Sequence, residues 1–218
     1  MTSIYSHEQR ALQDQHDTRR IADFIAAGLV HPTVTPEDKG FIESRDMFFL
    51  SSVDANGQPT VSYKGGDPGF LSVTEDGDIA FPCYDGNGMF LSMGNIAASQ
   101  KVGLLFIDFE TPHRLRVQGA ARIVQGDPLL ARYPEALLMV RVSPMQIFIN
   151  CPRYVHRRSK AEASKYVPRA GATTPVPAWK RIDVVQPALA AHDQGKADAA
   201  GGLMTIEDYM GCVMRGDG

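Results

Sequence analysis

Apolar residues change their spacing near residue 46. Before it, Ile21, Phe24, Ile25 and Leu29 recur at helical intervals, which predicts a helix over 7–30 with Ser6 as its N-cap. Thr35-Pro36-Glu37-Asp38 reads as a second helix start, with a capping threonine, proline in the first turn and acids at the positive end of the dipole. That helix is expected to pass through Phe41 and Ile42 and stop near Arg45.

Beyond residue 46 the period falls to two, or disappears into short apolar runs. A strand is predicted over 47–53, a turn at Asp54-Ala55-Asn56-Gly57, and a return strand over 60–64. In the return strand Val61 and Tyr63 face one way, and Thr60, Ser62 and Lys64 the other. Strands over 70–73 and 78–82 flank the turn Glu75-Asp76-Gly77, and a short helix is expected over 89–98. The run 102–109 is apolar on both faces until Asp108, as in the centre of a barrel. In 114–123, Leu115, Val117, Ala121 and Ile123 alternate with Arg114, Arg116, Gln118 and Arg122. A helix is predicted from Asp127-Pro128 to about 138, disturbed by Pro134, and then a last strand over 140–149.

From Lys160 the texture changes again. Pro168, Pro175 and Pro177 mark an irregular linker, followed by helical pieces at about 180–192 and 206–215. This tail has little apolar content and is expected to drape over the barrel or over a partner subunit. Strands joined by hairpin signals, without strand–helix alternation, point to a mainly β antiparallel barrel with flanking helices. Three regions result: N-terminal helices (1–45), a barrel (46–158) and a C-terminal linker with a helical tail (159–218).

Composition narrows the function classes. The chain has 218 residues, 44% hydrophobic and 22% charged, with a formal net charge of −3. That balance leaves no electrostatic footprint for nucleic acid or an anionic membrane. No run approaches the roughly 18 apolar residues of a membrane helix, and the polar start MTSIYSHEQR does not read as a signal peptide. Three scattered cysteines without a CxxC pair fit reduced thiols and a cytoplasmic setting.

Candidate chemistry concentrates in two places. The loop Asp85-Gly86-Asn87-Gly88 runs into the predicted short helix, whose free N–H groups would favour an anion. It matches neither GxGxxG nor GxxxxGK[ST], and on spacing alone a plain Asp-Gly turn is the better reading. Lys64 stands beside Ser62 before Gly65-Gly66. A solvated edge lysine fits there, and so does an ammonium aimed with a hydroxyl at a phosphate. The arginine face of 114–122 suits solvent, an anion or an electron-rich ring. The six histidines have no metal-ligand spacing, no GxSxG elbow occurs, and Cys83 has no companion, so no metal is expected. Binding groups without acid–base machinery suit a protein whose cofactor carries the reactivity.

The succession VDANGQPTVSYKGG, FPCYDGNGMFLSMGNI, VGLLFIDF and RLRVQGAARI resembles the pyridoxamine 5′-phosphate oxidase-like, FMN-binding split-barrel proteins. The closest likeness is to a branch with the DGNG loop and a later NCPRY motif. The resemblance covers roughly 41–154. It implies a six-stranded antiparallel split barrel, a homodimer with FMN between subunits, and an FMN-dependent oxidoreductase acting on an unidentified small substrate. Ser62, Tyr63 and Lys64 would supply phosphate and ribityl contacts. Asp85, Gly86, Asn87, Gly88 and Ser92 would form the phosphate loop. Arg114 would meet the flavin ring, and Arg153 and Tyr154 would lie where the partner closes the pocket. Vitamin B6 oxidases have an arginine–lysine pair where this chain has Leu91 and Ser92, so Lys64 is expected to carry more of the phosphate charge. Their arginine-leucine-x-proline tail is here Arg215-Gly216-Asp217-Gly218, so a different substrate is expected. The alternatives are a non-catalytic flavin carrier or redox sensor, or a relative using a deazaflavin or haem, with His113 as the candidate axial ligand.

Overall fold

The computed structural model describes residues 4–151, 153–159 and 162–215. The chain divides into two compact units, Met1–Ala161 and Glu162–Gly218.

The first unit opens with α1 (His7–Gln15), where Ser6 and Gln9 form a reciprocal capping box. Asp17 then takes a left-handed φ of 51°, and α2 (Arg19–Leu29) starts afresh. The single helix expected over 7–30 is therefore two. The apolar stripe that predicted it is largely uncovered, with Phe24 70% exposed. α3 (Pro36–Glu43) carries a second capping box, Thr35 with Asp38, as its sequence indicates.

Seven strands follow: β1 (Met47–Val53), β2 (Pro59–Gly65), β3 (Ser72–Val73), β4 (Ile79–Tyr84), β5 (Lys101–Asp108), β6 (His113–Val124) and β7 (Ala136–Ile149). α4 (Leu91–Ser99) lies between β4 and β5 in sequence. They make one antiparallel sheet in the order β2-β1-β5-β6-β7-β4-β3. The two-residue β3 replaces the strand expected over 70–73.

Four strand spacings separate β1 from β4, about 19 Å in a flat sheet. Yet the rings of Phe48 on β1 and Phe81 on β4 have centroids 5.0 Å apart. The sheet therefore rolls, and Phe48 also meets Phe106 at 5.4 Å and Phe70 at 6.1 Å inside it. Alternating inward residues (Phe48 and Leu50, Leu104 and Phe106, Leu115 and Val117) join Ile42 and Ile96 in one buried core. β2 and β3 stay unpaired edges, so the roll is split rather than closed.

A bulge at Gln118/Gly119 bends β6 against β7. A Cβ at Gly119 would strike the Ser143 carbonyl oxygen, so glycine is required there. The helix expected over 127–138 is only a 3-10 turn, Pro128–Arg132. Pro134 lacks an N–H, Glu135 takes a left-handed φ of 59°, and β7 begins at Ala136.

The second unit has a small core of Ala178, Ile182, Leu189 and Ala197. Where one helix was expected over 180–192, three short 3-10 pieces occur, Ala178–Arg181, Asp183–Ala188 and Ala191–Asp193, with Pro187 inside the second. Beyond them lie α5 (Lys196–Ala199) and α6 (Ile206–Met214). Buried Lys180 pairs with Asp193 at 2.7 Å, which offsets the cost of withdrawing both charges from water.

Candidate functional site

The split between edge strand β2 and the end of β4 holds a cavity of about 240 Å³. On β2, Lys64 stands opposite Phe48 of β1, Ser62 opposite Leu50 and Thr60 opposite Ser52. All three therefore point to the barrel side, and all three line the cavity. Cys83 and Tyr84 close it from β4, Gly86, Asn87 and Gly88 from the loop, and Leu91, Ser92 and Met93 from α4.

The loop reaches the helix through two local devices. The Asn87 side-chain oxygen accepts the Met89 N–H at 3.1 Å, and Gly88 takes φ 76°. Gly86 does not adopt positive φ. Phe90 then serves as N-cap in a left-handed conformation, φ 48° and ψ 27°, and provides no side-chain acceptor. An aromatic residue held there costs of order 1–3 kcal/mol, and such strain collects at functional sites. A helix leaves its first N–H groups without intrahelical partners, and here the N-cap side chain makes no hydrogen bond to them. They are available to an anion.

The polar groups around this helix start are held in place. Ser62 and Ser92 hydroxyls are 3.1 Å apart. Buried Asn95 donates to Ser52 at 3.1 Å, and Ser52 lies 3.2 Å from the Thr60 hydroxyl. Ser99 donates to the Val53 carbonyl at 2.7 Å. These contacts pin α4 to β1 and β2. Half-buried Lys64 has no carboxylate partner among the described residues. Its ammonium lies near Cys83 but does not activate it: burial pushes that thiol up, and the lysine offsets this only in part. Burial likewise pushes the Tyr84 hydroxyl up.

The structure thus brings together Ser62, Lys64, Gly86, Asn87, Gly88 and Ser92. Asp85 is exposed at the entrance to the loop and does not line the cavity. Tyr63 points to the other face of β2, where it is 62% exposed and its ring lies 6.2 Å from Phe49. Arg114 shares that outer face. It stands opposite Ile107, donates to the Cys151 carbonyl at 2.5 Å, and leaves a buried Nε without a partner. Arg153 stacks over Tyr154 at 5.9 Å, and Tyr154 is 80% exposed away from the cavity. Pro152 of the NCPRY motif lies outside the described residues.

Gly65 and Gly66, which suggested room for a ligand, have another reason. A Cβ on Gly66 would fall 2.6 Å from Phe70, and one on Gly65 2.8 Å from the Tyr63 ring. His113 sits in a separate open cleft of about 570 Å³ with Phe41, Asp108 and Arg157. Its ring packs edge-on against Phe41 at 4.5 Å. Sequence reasoning missed Thr60, Tyr84, Phe90 and Met93. The inward phase of β2 could have signalled Thr60, but nothing local marks the left-handed turn at Phe90.

The fold is a split antiparallel barrel whose open seam gathers a cation, hydroxyls and a helix start. The model of the pyridoxamine 5′-phosphate oxidase family matches residues 34–150, more than half of the chain. The chain belongs to that family. Among solved structures, HupZ from Group A Streptococcus is 20% identical, covering 58% of this chain and all of that one with a TM-score of 0.44. A Lactobacillus delbrueckii protein, provisionally named a pyridoxamine 5′-phosphate oxidase, is 23% identical over 54% of this chain and 95% of its own, with a TM-score of 0.44. HutZ, the haem storage protein of Vibrio cholerae, is 20% identical over 54% of this chain and 94% of its own, with a TM-score of 0.40. No curated protein matches the chain. Among the described residues, no helix is long and apolar enough to cross a membrane.

Proposed function

We propose that the cavity at the split holds the phosphate of FMN and that the protein is an FMN-dependent oxidoreductase acting on a small molecule. The observation that carries this reading is the convergence of Lys64, Ser62, Ser92 and the uncapped start of α4 on one cavity. Lys64 would supply the counter-charge, the two serines neutral hydrogen bonds, and the loop and helix N–H groups the cradle. Bound FMN contributes hydride or single-electron chemistry that the side chains lack.

The same geometry supports a homodimer. At about 240 Å³ the cavity falls below the roughly 300–1,000 Å³ of pockets that enclose a whole drug-sized ligand. The rest of FMN needs another wall. Val61 and Tyr63, 68% and 62% exposed, offer an apolar outer face on β2 for a second copy. Arg114 lies on that face, opposite its own cavity. A ring contact from Arg114 would therefore come from the second copy, where a cation stabilises an anionic reduced flavin.

The titratable groups favour a second reading, a flavin carrier. Cys83 and Tyr84 line the cavity with their pKa values raised, so neither is poised for proton transfer near neutrality. The purified protein should be yellow and release FMN on heating. A colourless protein that does not take up added FMN defeats both readings. Turnover with NADH or NADPH and an acceptor selects the oxidoreductase; stable binding without turnover selects the carrier.

A further inference from the structure

Helix α4 meets the barrel with two different faces. Met93 and Ile96 enter the apolar core. Ser92, Asn95 and Ser99, spaced i, i+3 and i+7, form a polar stripe that meets β1 and β2 instead. Apolar packing is non-directional, so on its own it leaves a short helix free to slide. Buried hydrogen bonds resist sliding, because a displaced amide loses its partner and has no water to replace it.

Asn95 is the middle rung of the stripe and the most enclosed. It is 6% exposed, does not line the cavity at the split, and donates from Nδ2 to Ser52 Oγ at 3.1 Å. Ser52, 1% exposed on β1, stands opposite Thr60 of β2 and lies 3.2 Å from its hydroxyl. Thr60 shares its face of β2 with Ser62 and Lys64. The relay Asn95–Ser52–Thr60 therefore ties the middle of α4 to the strand that carries the candidate phosphate ligands. Ser92 lies about one turn before Asn95, with its hydroxyl 3.1 Å from that of Ser62. Ser99 fastens the far end to the Val53 carbonyl at 2.7 Å. The relay is made of neutral groups, so what it sets is distance rather than charge.

We infer that Asn95 is a positioning residue. Through Ser52 it fixes the register of α4 against β2, and so holds Ser92 and the first N–H groups of the helix at a set distance from Lys64 and Ser62. Binding groups of this kind need to be held to within about 0.5 Å by the residues behind them. The inference rests on the reading of the cavity as an FMN phosphate site. It adds that phosphate selectivity depends on a residue that touches no part of the ligand.

The test titrates cofactor-free protein with FMN and with riboflavin, and follows the thermal unfolding of each variant. Asn95→Ala should weaken FMN roughly three- to tenfold, the loss expected of a neutral hydrogen bond, and leave riboflavin affinity unchanged. Ser52→Ala breaks the same contact from the barrel side and should act alike, which keeps the test open if Asn95→Ala does not fold. Ser92→Ala should cost less FMN affinity in the Asn95→Ala background than in wild type, since a serine no longer held in place has less to lose. Equal weakening of both flavins, or losses that simply add in the double variant, would make Asn95 merely structural and overturn the inference, even where the unfolding temperature falls. Wild-type selectivity that survives in folded Asn95→Ala and Ser52→Ala overturns the inference alone. A wild type that takes up neither flavin, or both equally, overturns the phosphate reading and the inference with it.

Discussion

The barrel handles charge in opposite ways on its two sides. Where β4, β7 and β6 run together, cations meet carboxylates. Arg141 binds Asp127 at 2.6 Å, Arg122 binds Asp78, and Ser143 donates to Asp78 at 2.7 Å. At the split, Lys64 faces hydroxyls and helix N–H groups with no carboxylate among the described residues. Paired charges hold the fold. Under the proposed function, a half-buried cation grouped with other donors receives its counter-charge from the cofactor phosphate. Phe90 adds to the contrast, since its left-handed backbone strains the split side.

The largest effect should come from the paired side. Asp127 has a fully buried side chain, caps Leu129 and holds Arg141, whose side chain is 17% exposed. Asp127→Ala leaves that guanidinium without its partner and should cost about 3–5 kcal/mol in urea unfolding. FMN affinity of the folded protein should not change. The hydrogen bond from Arg141 is the main cause holding the Asp127 carboxyl below its ordinary value. Its folded pKa thus lies below its unfolded one, near 3.9. The stabilisation is complete above that pH and vanishes as pH falls through the folded value. Asp127→Asn should flatten this part of the acid limb relative to wild type.

The split side should behave in reverse. Lys64→Ala should weaken FMN by roughly 1.5–3 kcal/mol while moving unfolding stability by less than about 0.5 kcal/mol. Ser62→Ala or Ser92→Ala should each weaken FMN by about 0.5–1.5 kcal/mol in the same titration. Smallest of all, Phe90→Gly should raise stability by about 0.5–1 kcal/mol in thermal unfolding, because glycine takes a left-handed φ without strain. A fall in stability there would mean that Phe90 contributes more through packing than it loses in strain.

These two sides were unequally legible in the sequence. Local signals placed β1 over 47–53, the N-caps Ser6 and Thr35 of the first unit, and the phase of β2 that puts Ser62 with Lys64. The chain's resemblance pointed to the loop before α4. What local signals cannot carry is the roll that sets Phe48 against Phe81, since β4 pairs with β7 across more than fifty residues. The roll decides that the Lys64 face becomes the cavity wall while Tyr63 and Arg114 look outward. Helical spacing likewise suggested a continuous helix over 7–30, which the backbone at Asp17 interrupts. The stripe of Phe24 and Leu29 has a helical period, yet both residues stay exposed among the described residues.

The central claim is that the split recognises a phosphate through Lys64. Its most direct test is a fluorescence titration of cofactor-free protein with FMN and with riboflavin, in wild type and in Lys64→Ala. Wild type should bind FMN far more tightly than riboflavin, and the substitution should shrink that gap by weakening FMN alone. Equal affinity of wild type for the two flavins, or a gap that Lys64→Ala leaves untouched, would contradict the claim.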